Sequence, residues 1–277
     1  MKKLIFILFF ACNSMLASAQ SLTMLWKTDT LLRVPESVLL DSKNNVLYVS
    51  CIDGKSGEKD GKGYIAKVSP DGKIITNEWV SGLDAPKGLG LYKNNLYVAD
   101  LTRVVTIDIT TGKITSSVEV EGAQFLNDVT VDSKGNVYIS DSNTGKITRL
   151  ANGKAELFFE SKDFTRINGL LALKDGLRVA DFGSGAFYNL SWDKKLGKVT
   201  DVAAGSDGIV MTGKNEFIIS CWAGEVYFVA ADGKVTKLLD TKDQKVNSAD
   251  VDYNSKSKTL YVPTFFANSV VAYTFNR

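Results

Sequence analysis

A polar entry segment recurs six times along the chain, each time followed by an apolar stretch, a turn and a second apolar stretch that ends on a small or polar residue. The six units run Pro35-Glu36-Ser37-Val38 to Cys51, Pro86-Lys87-Gly88-Leu89 to Asp100, Leu126-Asn127-Asp128-Val129 to Asp141, Ile167-Asn168-Gly169-Leu170 to Asp181, Ser206-Asp207-Gly208-Ile209 to Cys221, and Val246-Asn247-Ser248-Ala249 to Thr264. The second residue of each entry falls at 36, 87, 127, 168, 207 and 247, with spacings of 51, 40, 41, 39 and 40. A period of this length confines the chain to a few repeat architectures, because one unit cannot bury both of its own faces and must stack on its neighbours.

Runs such as Val46-Leu47-Tyr48-Val49 and Phe217-Ile218-Ile219 are too short for helices and are bounded by turn residues, so they read as strands. Hairpin signals lie between them at Pro70-Asp71-Gly72, Thr111-Gly112, Asn152-Gly153, Asp175-Gly176 and Asp232-Gly233. Four-stranded units at this period predict an all-β fold, a six-bladed β-propeller. The last unit supplies only three obvious strands, ending at Val270 to Phe275, whereas Leu22 to Thr30 has nothing of its own to pair with. The N-terminal strand is therefore expected to complete the last blade and close the ring, leaving no free sheet edge and making residues 20–277 one propeller domain. A linear array of six units is the alternative.

Residues 1–19 read as a signal peptide: Lys2 and Lys3, an apolar run from Leu4 to Ala11 too short to span a bilayer, and Ala17-Ser18-Ala19 before Gln20 as a cleavage site. The expectation is export to the periplasm or the medium. The rival is a lipoprotein box, Phe9-Phe10-Ala11-Cys12, with a lipid on Cys12. Removing residues 1–19 takes two of the 33 basic residues and none of the 31 acidic ones, which leaves 31 of each. A balanced charge gives no support to a nucleic-acid partner, and no later segment is long and apolar enough to be transmembrane.

The chain has no histidine. That removes Ser-His-Asp and Cys-His catalysis, imidazole metal sites and histidine bases together. Chemistry must rest on carboxylates, amides, lysine and hydroxyls, with or without a hard metal. Cys51 and Cys221 remain after cleavage, either as separate thiols or as a pair.

In a propeller the innermost strands line the axis, so the repeated entry position sends Glu36, Lys87, Asn127, Asn168, Asp207 and Asn247 toward one point. Six polar groups in a narrow channel are costly unless hydrated, paired or bound. Two carboxylates with amide oxygens, and no sulfur or imidazole, suit a divalent cation such as calcium or magnesium.

At these residues the chain resembles the senescence marker protein, gluconolactonase and luciferin-regenerating enzyme-like family of six-bladed propellers, which also includes diisopropylfluorophosphatase. The resemblance rests on Pro35-Glu36, Leu126-Asn127-Asp128, Asn168-Gly169-Leu170 and Ser206-Asp207-Gly208, in family order. It implies a catalytic divalent metal held by Glu36, Asn168 and Asp207, with Asn127 as a further ligand or a substrate contact. Calcium is expected, with magnesium, manganese and zinc as alternatives. The chain departs from the family in having Leu39 and Leu40 where a tryptophan is often found, in lacking a further acid after Asp207-Gly208, and in having no counterpart of the fluorophosphatase histidine. The activity implied is hydrolysis of a small, sugar-lactone-like ester, with Asp207 or Glu36 taking the proton from a bound water. Asn127, Lys87 and Asn247 are candidate substrate contacts, and Lys87 either binds a substrate carboxylate or pairs with Asp128.

A second column, Cys51, Asp100, Asp141, Asp181, Cys221 and Thr264, closes each second strand; its acids resemble those that bond backbone amides in NHL-type propellers. Phe182, Trp222, Phe265 and Phe266 follow this column and either wall a pocket or pack between blades. The insertion from Ile52 to Gly63 is a lid or a solvated hairpin. The competing functional class is a non-catalytic, NHL-like propeller that binds a ligand or a partner protein at its mouth, with a structural metal.

Overall fold

The computed structural model describes residues 20–277, and the signal-peptide reading of residues 1–19, with Cys12, lies outside the described residues. Six antiparallel four-stranded sheets follow one another in a ring, a six-bladed β-propeller with one 3-10 turn among the described residues, Phe265–Ala267. The innermost strands of the six blades are Pro35–Asp41, Pro86–Tyr92, Leu126–Val131, Ile167–Leu173, Ser206–Gly213 and Asp252–Asn254. No helix among the described residues is long and apolar enough to cross a membrane.

Alternation within the strands sorts apolar side chains to the two faces of each blade, and the core lies between blades. Six apolar clusters each span one seam between neighbours; Val38, Leu47 and Tyr64 of the first blade, for example, pack against Tyr261, Val270 and Ala272 of the last. Each blade thus buries its faces on the next, as the repeat requires.

The ring closes as the sequence predicts. Ser21–Lys27 pairs antiparallel with Val270–Asn276 and forms the outer strand of the last blade. At the axis the same seam is joined again: the Asp250 amide donates to the Glu36 carbonyl at 2.9 Å, and the Val38 amide to the Asp250 carbonyl at 3.3 Å.

The first five inner strands all break register just after their entry residue, between Pro35 and Ser37, Pro86 and Leu89, Leu126 and Val129, Ile167 and Leu170, and Ser206 and Ile209. A bulge re-aims a side chain and leaves a backbone amide without its ladder partner. In alternate blades a serine hydroxyl accepts that amide: Ser50 from Ser37, Ser140 from Asp128 and Ser220 from Gly208, at 2.9 to 3.0 Å.

The pairing corrects the sequence reading in the last blade. Tyr138 faces Thr130, Ile218 faces Val210 and Tyr261 faces Asp252, so counting back three residues gives Asn127, Asp207 and Ala249 as equivalent. Ala249, not Asn247, occupies the sixth ring position, and Asp250 corresponds to Asp128. The inner strand of this blade is only three residues long, and Val246-Asn247-Ser248 ahead of it imitates an entry segment two residues too early.

Candidate metal centre at the propeller mouth

Glu36, Lys87, Asn127, Asn168 and Asp207 converge from five blades on one cavity of about 350 Å³. All five are at least 93% buried. The Asn168 amide donates to Asp207 Oδ1 at 2.9 Å. Asn127 donates to the Ser142 hydroxyl at 3.0 Å, and that hydroxyl in turn donates to the Ile167 carbonyl at 2.7 Å. With both amide NH2 groups committed inside the protein, the carbonyl oxygens of Asn127 and Asn168 are the ends left for a ligand. Asn168 Oδ1 and Glu36 Oε2 are buried without any hydrogen-bond partner. Orphaned buried acceptors are rare because each forgoes hydration without compensation, and two in one cavity need a common explanation.

The electrostatics point the same way. Burial pushes the Glu36 carboxyl up to about 8 against the opposing pull of Lys87, with Asp250 adding to the rise. Burial, then the charges of Glu36, Asp250 and Asp128, hold Asp207 well above the usual carboxylate range, although the Asn168 hydrogen bond resists. Carboxyls that suppress one another's ionisation suit a cation placed between them. The described residues hold no group of three or more His, Cys, Asp or Glu side chains arranged to bind a metal. The candidate donor set is instead two carboxylates and two amide oxygens, all hard ligands, and it fits calcium chemistry with water completing the shell.

Lys87 does not pair with Asp128. Its ammonium donates to the carbonyls of Ala85 at 2.8 Å and Ser56 at 3.0 Å, and it lies 4.4 Å above the Phe125 ring. Burial brings it down to about 8, with Glu36 and Asp100 opposing. Both oxygens of Asp128 are taken by the Val129 and Leu170 amides, so this acid ties the third blade to the fourth. Through Ser56, Lys87 anchors the insertion between Cys51 and Gly63. Lys59 adds a 2.9 Å hydrogen bond to Thr102, and Asp84 accepts the Gly61 amide at 3.2 Å. The insertion lies over the mouth, pinned to the second blade.

Asn247 donates to the Trp222 carbonyl at 2.9 Å and is not among the side chains that line the cavity. Two residues before the ring position in each blade, it belongs to a rim row with Phe125 and Arg166. Those two line the cavity, as does Ser56, and none of the three stood out in the sequence. Phe125 and Arg166 carry the only signal available, their shared offset from Asn127 and Asn168.

The second column is structural. Asp100 accepts the Asp84 and Ala85 amides, Asp141 those of Gln124 and Phe125, and Asp181 those of Thr165 and Arg166, at 2.7 to 3.1 Å. Each acid therefore holds the loop that delivers the rim and ring residues of its own blade. Cys51 and Cys221 are separate buried thiols, and burial raises both. Phe182, Trp222, Phe265 and Phe266 do wall the cavity.

No family model matches the chain, and no curated protein matches it in sequence. Solved structures similar to it include a provisionally named gluconolactonase, at 17% identity and TM-score 0.68 over 94% of this chain and 93% of that one. A gluconolactonase from Xanthomonas campestris matches at 15% and 0.67 over 88% and 86%. A catalytically inactive virginiamycin B lyase from Staphylococcus aureus, solved with quinupristin, matches at 14% and 0.66 over 92% and 99%. At such identities these likenesses show the six-bladed fold alone, and they join it to more than one chemistry.

Proposed function

We propose that the protein is a hydrolase of a lactone or related small ester, working with a divalent cation, calcium, held by Glu36, Asn168 and Asp207 with Asn127 beside them. The observation that carries this reading is the pair of orphaned oxygens, Glu36 Oε2 and Asn168 Oδ1, buried in the same cavity as Asp207. When bound, the cation supplies Lewis acidity, polarising an ester carbonyl and lowering the pKa of a water.

The residues of the chain do the rest. Asn168 fixes the Asp207 carboxylate through one oxygen, and the other, which makes no hydrogen bond among the described residues, is the proton acceptor. Calcium polarises water less than zinc does, so a carboxylate base beside it is required. Lys87 and the pinned insertion narrow the mouth and limit water inside it. Export to the periplasm or the medium belongs to the same proposal, since an extracellular compartment is rich in calcium; mature protein beginning at Gln20 would carry that part.

The rival, a binding propeller without turnover, draws on the number of functions this fold supports. The test is turnover of aldonolactones and simple γ- and δ-lactones with calcium, magnesium, manganese and zinc supplied separately. Cation-dependent hydrolysis that disappears in Asp207→Asn is expected. Cation binding without turnover of any ester would replace the hydrolase by the binding module.

A further inference from the structure

The mouth has a polar side and an aromatic side. Each amide NH2 near the axis gives one of its two N–H donors to the protein: Asn127 to Ser142, Asn168 to Asp207 and Asn247 to the Trp222 carbonyl. Two of the three Lys87 donors go to the Ala85 and Ser56 carbonyls. The polar side of the mouth therefore keeps one N–H each of Asn127 and Asn168, the third Lys87 donor and the Arg166 guanidinium for a polar group of the substrate.

On the side of the fifth and sixth blades the wall is aromatic. Trp222 meets Phe265 at 5.4 Å and Phe266 at 6.0 Å, and the two phenylalanines meet at 4.8 Å, all nearly perpendicular. Phe266 is 63% exposed although it lines the cavity, so a large apolar face stands in water beside the candidate metal centre. The backbone is held in an unfavourable shape to present it. Phe265 has φ of 47°, in the left-handed region that bulky side chains avoid. Asn268 caps the turn in the same region, and its side chain accepts the Val34 amide at 2.9 Å. The Thr264 hydroxyl donates to the Ser269 carbonyl at 2.8 Å and accepts the Ser269 amide at 3.1 Å, fixing the base of the turn.

We infer that Trp222, Phe265 and Phe266 seat an apolar arm of the substrate, so that the ester taken by this mouth carries an alkyl or aryl substituent. The reacting group is taken from the hydrolase reading above; the aromatic seat stands on its own geometry.

Of the four tryptophans, Trp222 is the one that lines the cavity, so its fluorescence reports occupancy without any turnover. Wild-type protein with calcium is titrated with γ-butyrolactone, γ-nonalactone and glucono-δ-lactone, and Trp222→Phe serves as the signal blank. Each added methylene is expected to tighten binding by up to about fourfold. The nine-carbon lactone should therefore bind at least about tenfold more tightly than the four-carbon one, and Phe266→Ala should erase most of that difference between the two. Equal affinity for the two alkyl lactones, or tighter binding of glucono-δ-lactone, overturns the inference even if lactones are hydrolysed. A chain-length dependence without hydrolysis of any lactone upholds the aromatic seat and removes the hydrolase reading instead.

Discussion

Asn168 donates its amide to Asp207 at 2.9 Å and keeps its own carbonyl oxygen buried without a partner. One hydrogen bond thus does two jobs: it orients the carboxylate and commits the neighbouring amide to present an acceptor. A cation placed at the candidate centre would meet oxygens already fixed, with little to reorganise on binding.

The aspartates of the outer column predict a different phenotype from those of the ring. Asp141 accepts the Gln124 and Phe125 amides at 2.8 and 3.1 Å, and its residue is 98% buried. Asp141→Asn keeps one acceptor oxygen and loses the other, which should cost about 1–3 kcal/mol. Urea denaturation should show this loss while calcium binding at the ring is unchanged.

The contrast between those two sets shows how far the sequence could be read. The forty-residue period, the strand runs and the unpaired N-terminal segment were enough for the propeller and its closure, because each is a local or counting signal. Glu36, Asn127, Asn168 and Asp207 were legible as a ring because their entry segments keep the same offset from a second strand. Asn247 was misplaced because the last blade has a short inner strand, and only the pairing of Tyr261 with Asp252 fixes its register. The partners of Lys87 were not legible, since they are backbone carbonyls brought close by the insertion. Nothing in the identity of Phe125 or Arg166 marks either as a rim residue.

Ring closure by the N-terminal strand predicts a strong dependence on residues far from the site. Beyond its pairing with Val270–Asn276, the Thr28 hydroxyl accepts the Val270 amide at 3.0 Å, and the Thr28 amide donates to the Val270 carbonyl at 3.0 Å. Deleting residues 22–30 should expose the last strand and cause a large fall in melting temperature or loss of solubility. A melting curve like that of the intact protein would contradict closure.

The contribution of Asp252 to stability should fall as pH rises across the mildly acidic range. Burial pushes the Asp252 carboxyl from 3.8 up to about 6, although its oxygens accept the Leu40 and Tyr253 amides. Between these values the folded protein keeps a proton that the unfolded chain has released, so the stabilisation present below pH 3.8 is lost by pH 6. Comparing denaturation midpoints of wild type and Asp252→Asn from pH 4 to 7 isolates the effect. The wild type should lose stability relative to the variant across the lower part of that window, and parallel curves would show that Asp252 titrates normally.

Calorimetric titration with calcium of the wild type, Asp207→Asn and Asp141→Asn tests the central claim most directly. A single ion per chain should bind to the wild type and to Asp141→Asn with similar affinity. Binding to Asp207→Asn should be at least about tenfold weaker, because that substitution removes a charged ligand while keeping its size. Undiminished calcium binding by Asp207→Asn, or no uptake of calcium, magnesium, manganese or zinc by the wild type, would contradict a metal centre at the propeller mouth.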